Sequence, residues 1–253
     1  MVSAAIDNAA LFNILSSLAD NKQLLGRRYA YWSNGAPSLE AAVAAAAMTQ
    51  DELGHARTLY PLLEQFAQGQ AEPAQLDPMT RDASYAVAAL DHDFAGWADF
   101  IAANFLLDTA LTTFLNAVAE SSYEPLRARS HKMAQEERLH FMHAEGWIAR
   151  LAAPGGAVRA SLLAALDRWW DEALCWFGPD DDPTMRQLYA DGVVDATPDT
   201  LRSRYLAAIM PALARAGLEQ PAVHDAASDS WRPARPLPWA RWDATHRRLG
   251  VVA

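Results

Sequence analysis

Two Glu-x-x-His pairs constrain the fold of this chain more than any other feature of its sequence. The first pair is Glu52 and His55 in QDELGHA, and the second is Glu137 and His140 in QEERLH. Residues three apart lie on one face of adjacent helical turns, so each pair projects from one side of a helix. Both residues of the second pair follow those of the first by 85 positions (137 − 52 and 140 − 55), which indicates an internal repeat.

The sequence around both pairs is typical of long helices, because helix formers dominate and β-branched residues are few. The predicted helices span about 7–32, 39–67, 94–120, 126–152, 158–177 and 198–216. Each pair falls in the middle of the second helix of a hairpin, and a longer proline-bearing connection joins the two hairpins. This order predicts a four-helix bundle with one long crossover.

In ferritin-like di-iron bundles, two helices supply Glu-x-x-His and the other two supply one carboxylate each. We therefore expect an all-α, ferritin-like four-helix bundle that holds two metal ions. A single domain is expected over residues 1–253, with the bundle at about 7–153. Additional C-terminal helices and an extended tail, rich in Pro, Trp and Arg, follow at about 157–253.

The carboxylate from the third helix is predicted to be Asp108, the one acid within the apolar stretch NFLLDTALTTF. A buried, unpaired acid is costly, and a metal ion is a good reason for its presence. The alternative is a buried acid that bonds a neighbouring side chain. In the first helix the repeat offset points to position 23 (108 − 85), which is Gln23. An amide is a neutral, poor bridge, so Asp20 is the alternative ligand there.

Asp51 and Glu136 directly precede the paired glutamates. They are predicted either to hydrogen-bond the metal-bound imidazoles or to be solvated helix acids. Iron fits the carboxylate and imidazole ligands, but manganese or partial occupancy is also compatible with them.

The bulk composition excludes several other classes of protein. A net charge of −10 argues against general binding to nucleic acids. No signal peptide and no membrane-spanning run are predicted, so a cytoplasmic protein is expected. The single cysteine, Cys175, excludes a disulfide framework and a cysteine-rich metal site.

The segments QDELGHA, QEERLH, RWWDEALCWFGPDDD and PWARWDATHRRLG resemble the ferritin-like subunits of the bacterial phenylacetyl-CoA oxygenase (epoxidase) family. That family pairs a catalytic di-iron subunit with a homologous subunit that has lost its metal site, and a separate reductase supplies electrons from NADPH. The resemblance implies that Glu52, His55, Asp108, Glu137 and His140 match the ligands of the catalytic subunit. Gln23 stands at a position where a glutamate is expected.

The leading hypothesis is thus a di-iron monooxygenase subunit that oxidises an aromatic acyl-CoA such as phenylacetyl-CoA, with help from a reductase. The alternative is a non-catalytic structural partner of such a complex, with an incomplete metal site. An iron-storage bundle of ferritin type is the third interpretation, and the long C-terminal region disfavours it.

Overall fold

The protein is a bundle of long helices, in a computed structural model that describes residues 8–71, 81, 84–219 and 221–250. The helices are α1 (Ala9–Trp32), α2 (Leu39–Leu63), α3 (Ala67–Ala71), α4 (Trp97–Ala103), α5 (Thr109–Ala117), α6 (Glu124–Ala152), α7 (Gly156–Cys175), α8 (Pro183–Ala190) and α9 (Pro198–Arg215). The predicted all-α bundle with added C-terminal helices is confirmed.

Side-chain caps begin both helices of the first hairpin. Asn8 accepts a hydrogen bond from the Leu11 amide at 2.9 Å, and Ser38 accepts one from the Ala41 amide at 3.2 Å. Each cap satisfies one of the amide donors that a helix start leaves free. A Cβ at Gly26 would lie 2.8 Å from Leu53 Cγ, so glycine permits the close approach of α1 and α2.

The first helix of the second hairpin is interrupted by a π-helical turn, Asn104–Asp108, which joins α4 to α5. Among the described residues, the continuous stretch Trp97–Ala117 is long and apolar enough to cross a membrane, contrary to the sequence-based expectation of no such run. However, 89% of its apolar window is buried inside the protein. A core helix meets the same criteria of length and composition.

Two buried polar residues of α1 anchor the connection between the hairpins. Asp20 accepts a hydrogen bond from the Tyr85 amide at 2.8 Å, and Asn21 accepts one from the Val87 amide at 3.1 Å. A short 3-10 helix, Ala88–Asp91, follows. The interior of α1 thus satisfies backbone groups of a loop that crosses over the bundle.

The C-terminal region has more regular secondary structure than the predicted extended tail. It contains α8, which the sequence analysis missed, and two antiparallel hairpins. The strands are β1 (Ala222–Asp225), β2 (Ser230–Pro233), β3 (Trp242–Asp243) and β4 (Arg248–Leu249), with Ala222 opposite Pro233 and Trp242 opposite Leu249. The tail is extended, but its backbone groups are paired in these short ladders.

Two ion pairs, one of them fully buried, attach this region to the loop between α7 and α8. Arg247 is fully buried and pairs with Asp182, which is 2% exposed. Arg202 of α9 pairs with Asp180 and donates to the Gly178 carbonyl. Gly178, at φ 83°, adopts a backbone conformation that favours glycine.

Candidate metal centre

The structure brings the residues of both Glu-x-x-His pairs to the middle of the bundle. Glu52, Asp108, Glu137 and His140 are buried, and one potential ligand atom from each lies within 4.8 Å of all the others. His55 completes the group, with its Nδ1 atom 3.2 Å from Glu137 Oε1. These carboxylates and imidazoles could hold a metal ion.

A fully buried lysine also lies in this centre. The ammonium of Lys22 is 2.8 Å from Asp108 Oδ1 and 3.1 Å from Glu52 Oε1, and it also pairs with Glu137. An ammonium group has three N–H donors, and each is matched here by one carboxylate. Lys22 thus binds the same oxygens that a metal ion would take.

The protonation states favour a charge balance among the side chains themselves. Burial alone would lower the pKa of Lys22, but the surrounding carboxylates outweigh burial and raise it well above its usual value. Burial also opposes charge on His55 and His140, yet interactions with carboxylates raise the pKa of both histidines. Three bases therefore face three acids, so side-chain cations can offset the charge of the carboxylates without a metal ion.

The three acids are not equivalent. Burial raises the pKa of Glu52 to about 8, and repulsion from Asp108 and Glu137 adds to that effect. For Glu137, the effect of burial is outweighed by Lys22 and His140, which hold its pKa well below the usual value. A proton on Glu52 relieves the repulsion between carboxylates that share one site.

Asp51 and Glu136 contact the outer nitrogens of the two histidines. Asp51 Oδ2 lies 3.2 Å from His140 Nε2, and Glu136 Oε2 lies 2.8 Å from His55 Nε2. The inner nitrogens, Nδ1 in both rings, face the central carboxylates. Each acid thus orients an imidazole from the side opposite the centre.

The two alternatives for the remaining ligand lie elsewhere. The Asp20 carboxylate is engaged by Arg81, by the Tyr60 hydroxyl at 2.9 Å and by the Tyr85 amide. Gln23 is partly exposed, and it projects about 100° around α1 from Lys22. The first helix therefore contributes Lys22, a residue that the sequence analysis did not consider.

A signal for Lys22 was present in the sequence. The apolar stripe of α1 consists of residues at alternating spacings of four and three: Leu11, Leu15, Leu18, Leu25 and Tyr29. The same spacing places position 22 between Leu18 and Leu25, on the buried face. A charged residue in such a stripe predicts a buried ionic contact.

Asn104 lies between Asp108 of the centre and His143 of α6 and contacts both side chains. Its Nδ2 atom donates to Asp108 Oδ2 at 3.2 Å, and its Oδ1 atom lies 3.4 Å from His143 Nδ1. Burial and the charge of His140 lower the pKa of His143 to about 4. His143 packs beside Trp97 and Trp147 and lies outside the two Glu-x-x-His pairs.

The fit of two iron ions to this centre depends on Lys22. One feature favours metal, since Glu52 Oε2 is buried and has no hydrogen-bond partner among the described residues. However, di-iron sites of this architecture use four carboxylates, and here the first helix supplies a cation. Two divalent ions added to three carboxylates and an ammonium would leave excess positive charge in a buried site. With Lys22 in place, the centre does not fit a di-iron pair.

Comparison with known proteins identifies the family. A family model described as phenylacetic acid catabolic protein matches residues 2–232. The chain belongs to this phenylacetic acid catabolic protein family. The resemblance inferred from the sequence is confirmed, and with it the ferritin-like helical fold.

The chain also matches two different subunits of one enzyme, the 1,2-phenylacetyl-CoA epoxidase of Escherichia coli K12. It is 29% identical over 196 residues to one of them, a match that covers 75% of this chain and 62% of that relative. It is 27% identical over 206 residues to the other, with 81% of each protein covered. Both relatives are, by their names, subunits of one epoxidase, and the match spans less than two thirds of the length of the first.

Proposed function

We propose that this chain is a non-catalytic structural subunit of an oxygenase complex that acts on phenylacetyl-CoA or a related acyl-CoA. The observation that supports this function is Lys22, whose ammonium binds the central oxygens of Glu52, Asp108 and Glu137. A covalently attached cation takes the role that metal ions have in a catalytic bundle. It neutralises the carboxylates and joins α1 to the three other helices of the bundle, but it supplies no oxidising chemistry.

A structural role implies that the chain has binding partners within an oxygenase complex. The chain would pair with a homologous, ferritin-like catalytic subunit, and that subunit would bind the acyl-CoA and receive electrons from an NADPH-dependent reductase in the cytoplasm. The similarity to both epoxidase subunits supports such a pairing, because the two relatives are parts of one enzyme.

The metal content of Lys22→Glu tests the proposal. Glutamate would supply the fourth carboxylate, so this variant should bind about two metal ions per chain when it is expressed with ample iron. Wild type and Lys22→Gln, a neutral control of similar length, should retain little metal in elemental analysis. Two irons in each wild-type chain would overturn the proposal.

A di-iron monooxygenase subunit is the second candidate, supported by Glu52 Oε2, a buried oxygen with no hydrogen-bond partner among the described residues. In that case Lys22 would leave the centre, and bound irons would supply the oxidising chemistry on the acyl-CoA. Iron-loaded protein should then consume dioxygen with an acyl-CoA and a reductant. No consumption by the chain alone, with consumption after addition of a catalytic subunit, favours the structural role.

A further inference from the structure

The first half of α2 is apolar on its outer face as well as on its inner face. The inner face packs in the bundle through buried residues such as Ala45 and Met48. The outer face carries Leu39, which is 76% exposed, and Val43, which is 62% exposed. Residues 41–50 (AAVAAAAMTQ) include no charged side chain. A helix that meets water on one side usually carries charged residues there, whereas a helix that is apolar all round is usually buried.

The outer residues of α2 follow the spacing of a coiled-coil seam. Alternating steps of four and three residues lead through Leu39, Val43, Ala46, Gln50, Leu53 and Arg57. These residues are exposed, apart from Leu53, which is partly buried. This spacing keeps side chains on one line along a helix, where they can face a partner helix. At a rise of 1.5 Å per residue, the seam is about 27 Å long.

The seam is symmetric about position 48, so it can pair with the same seam of a second copy. In an antiparallel pair centred there, Val43 of one copy lies opposite Leu53 of the other, and Ala46 lies opposite Gln50. The small Ala46 side chains near the middle let the two helices approach closely. Such a contact is two-fold symmetric, because the same surface of both copies takes part.

The charges at the ends of the seam complement each other in this arrangement. Glu40 borders the seam at its first end, Arg57 closes it at the other, and both are exposed. An antiparallel pair brings Glu40 of each copy towards Arg57 of the other, whereas a parallel pair places like charges side by side. The methylene groups of Arg57 would also cover the exposed Leu39.

We infer that the outer face of α2 binds the same face of a second copy of this chain, in an antiparallel, two-fold dimer. Burial of Leu39 and Val43 stabilises the dimer, and the charges of Glu40 and Arg57 set the direction of the helices. The contact lies on the surface and does not involve Lys22, so it does not rest on the proposed function. A heteromeric oxygenase complex would then contain two copies of this chain.

Sedimentation velocity of the isolated full chain, over a series of protein concentrations, tests the inference. We expect a reversible dimer with about twice the mass of one chain. Val43→Glu should weaken dimerisation by about 100-fold or more, since each of the two copies would bury an unpaired carboxylate. Val158→Glu is the matched control, because Val158 is an exposed valine of α7, outside the seam, and its replacement should leave the dimer unchanged. Circular dichroism checks that both variants keep their helices.

Exchange of the end charges tests the antiparallel arrangement. Glu40→Arg and Arg57→Glu should each weaken the dimer by about 2- to 10-fold, and the double variant should recover most of the loss. A wild type that stays monomeric at every concentration would overturn the inference, as would a dimer that survives Val43→Glu. Failure of the double variant to recover would rule out the antiparallel pairing. If a homologous catalytic subunit displaces the second copy and Val43→Glu blocks that displacement, the face belongs to that subunit and the inference is wrong.

Discussion

The choice of lysine at position 22 has a physical basis. The chain has 21 basic residues other than histidine, and only two of them, Lys22 and Lys132, are lysines. An ammonium is a compact point charge, whereas guanidinium is a planar fork suited to bidentate pairing. Three carboxylates that converge on one point fit a compact ammonium group and do not fit a planar guanidinium group. Lysine thus suits this centre in a chain that uses arginine at the other buried basic positions named above, Arg202 and Arg247.

Replacement of Lys22 should destabilise the protein strongly. Lys22→Met removes the central cation and leaves the carboxylates without their main partner, which is expected to cost about 3–5 kcal/mol of unfolding free energy. Denaturant unfolding at neutral pH measures this loss. Lys132→Met is the control, since Lys132 is 80% exposed and its pair with Glu136 should contribute less than about 1 kcal/mol. Equal effects of the two substitutions would contradict the buried placement of Lys22.

Glu172 should make stability depend on pH. Burial raises its pKa to about 7, although Glu172 Oε2 accepts a hydrogen bond from the Ala88 amide at 3.0 Å. The folded protein therefore holds this proton more tightly than the unfolded chain, whose glutamate pKa is about 4.3. Its contribution to stability is fully present below about pH 4.3 and is lost as the pH rises through 7.

Glu172→Gln should remove this dependence, because glutamine keeps the acceptor oxygen and carries no charge. We expect the variant to gain about 1–3 kcal/mol relative to wild type between pH 5 and pH 8, measured by urea unfolding at each pH. Glu120→Gln, at an exposed position, should show no such trend. A constant difference between Glu172→Gln and wild type across this range would show that Glu172 does not titrate there.

At the scale of the elements, the two hairpins differ by one residue, since Lys22 precedes Glu52 by 30 positions (52 − 22) and Asp108 precedes Glu137 by 29 (137 − 108). Equal offsets require equal helical periodicity and equal loops in the two hairpins, but Asn104–Asp108 has a π turn and α1 does not. An error of one residue rotates a side chain by about 100° around a helix. The long helices were predictable from composition and apolar spacing. The one-residue difference between the two hairpins, by contrast, had no local sequence signal.

The short C-terminal elements were also beyond the sequence analysis, because their stability comes from tertiary contacts rather than from periodicity. Helix α8 has eight residues, and β3 and β4 have two each. The buried pair of Arg247 and Asp182 holds the hairpin of β3 and β4 against the loop after α7. Such a contact joins positions 65 residues apart and leaves no pattern in either segment.

This ion pair should be essential for the attachment of the C-terminal hairpin. Arg247→Ala leaves Asp182 buried and unpaired, and we expect a loss of about 3–5 kcal/mol together with faster proteolysis of the tail. The double variant with Asp182→Ala should lose less than the sum of the two single variants. Arg204→Ala, in a half-exposed pair with Asp195, should cost less than about 1 kcal/mol. Strict additivity in the double variant would argue against a direct Arg247–Asp182 interaction.

For the whole molecule, the charge balance of the centre predicts folding that is independent of metal. The thermal unfolding midpoint of the wild type should not change when a strong chelator is added, because under the proposed function Lys22, and not a metal ion, neutralises the central carboxylates. The Lys22→Glu variant should lose several degrees under the same treatment, since a metal would then hold its carboxylates together. A wild-type midpoint that falls with the chelator would contradict this prediction.

The buried lysine also bears on how such a chain can arise. Every glutamate codon becomes a lysine codon through a change of its first base alone, from G to A. One nucleotide substitution at position 22 therefore separates a four-carboxylate centre from one that carries its own cation. After a gene duplication, such a change could give one copy a bundle that folds during iron starvation and generates no reactive oxygen species. The other copy would keep the chemistry, and the two would still share the surfaces through which they once assembled.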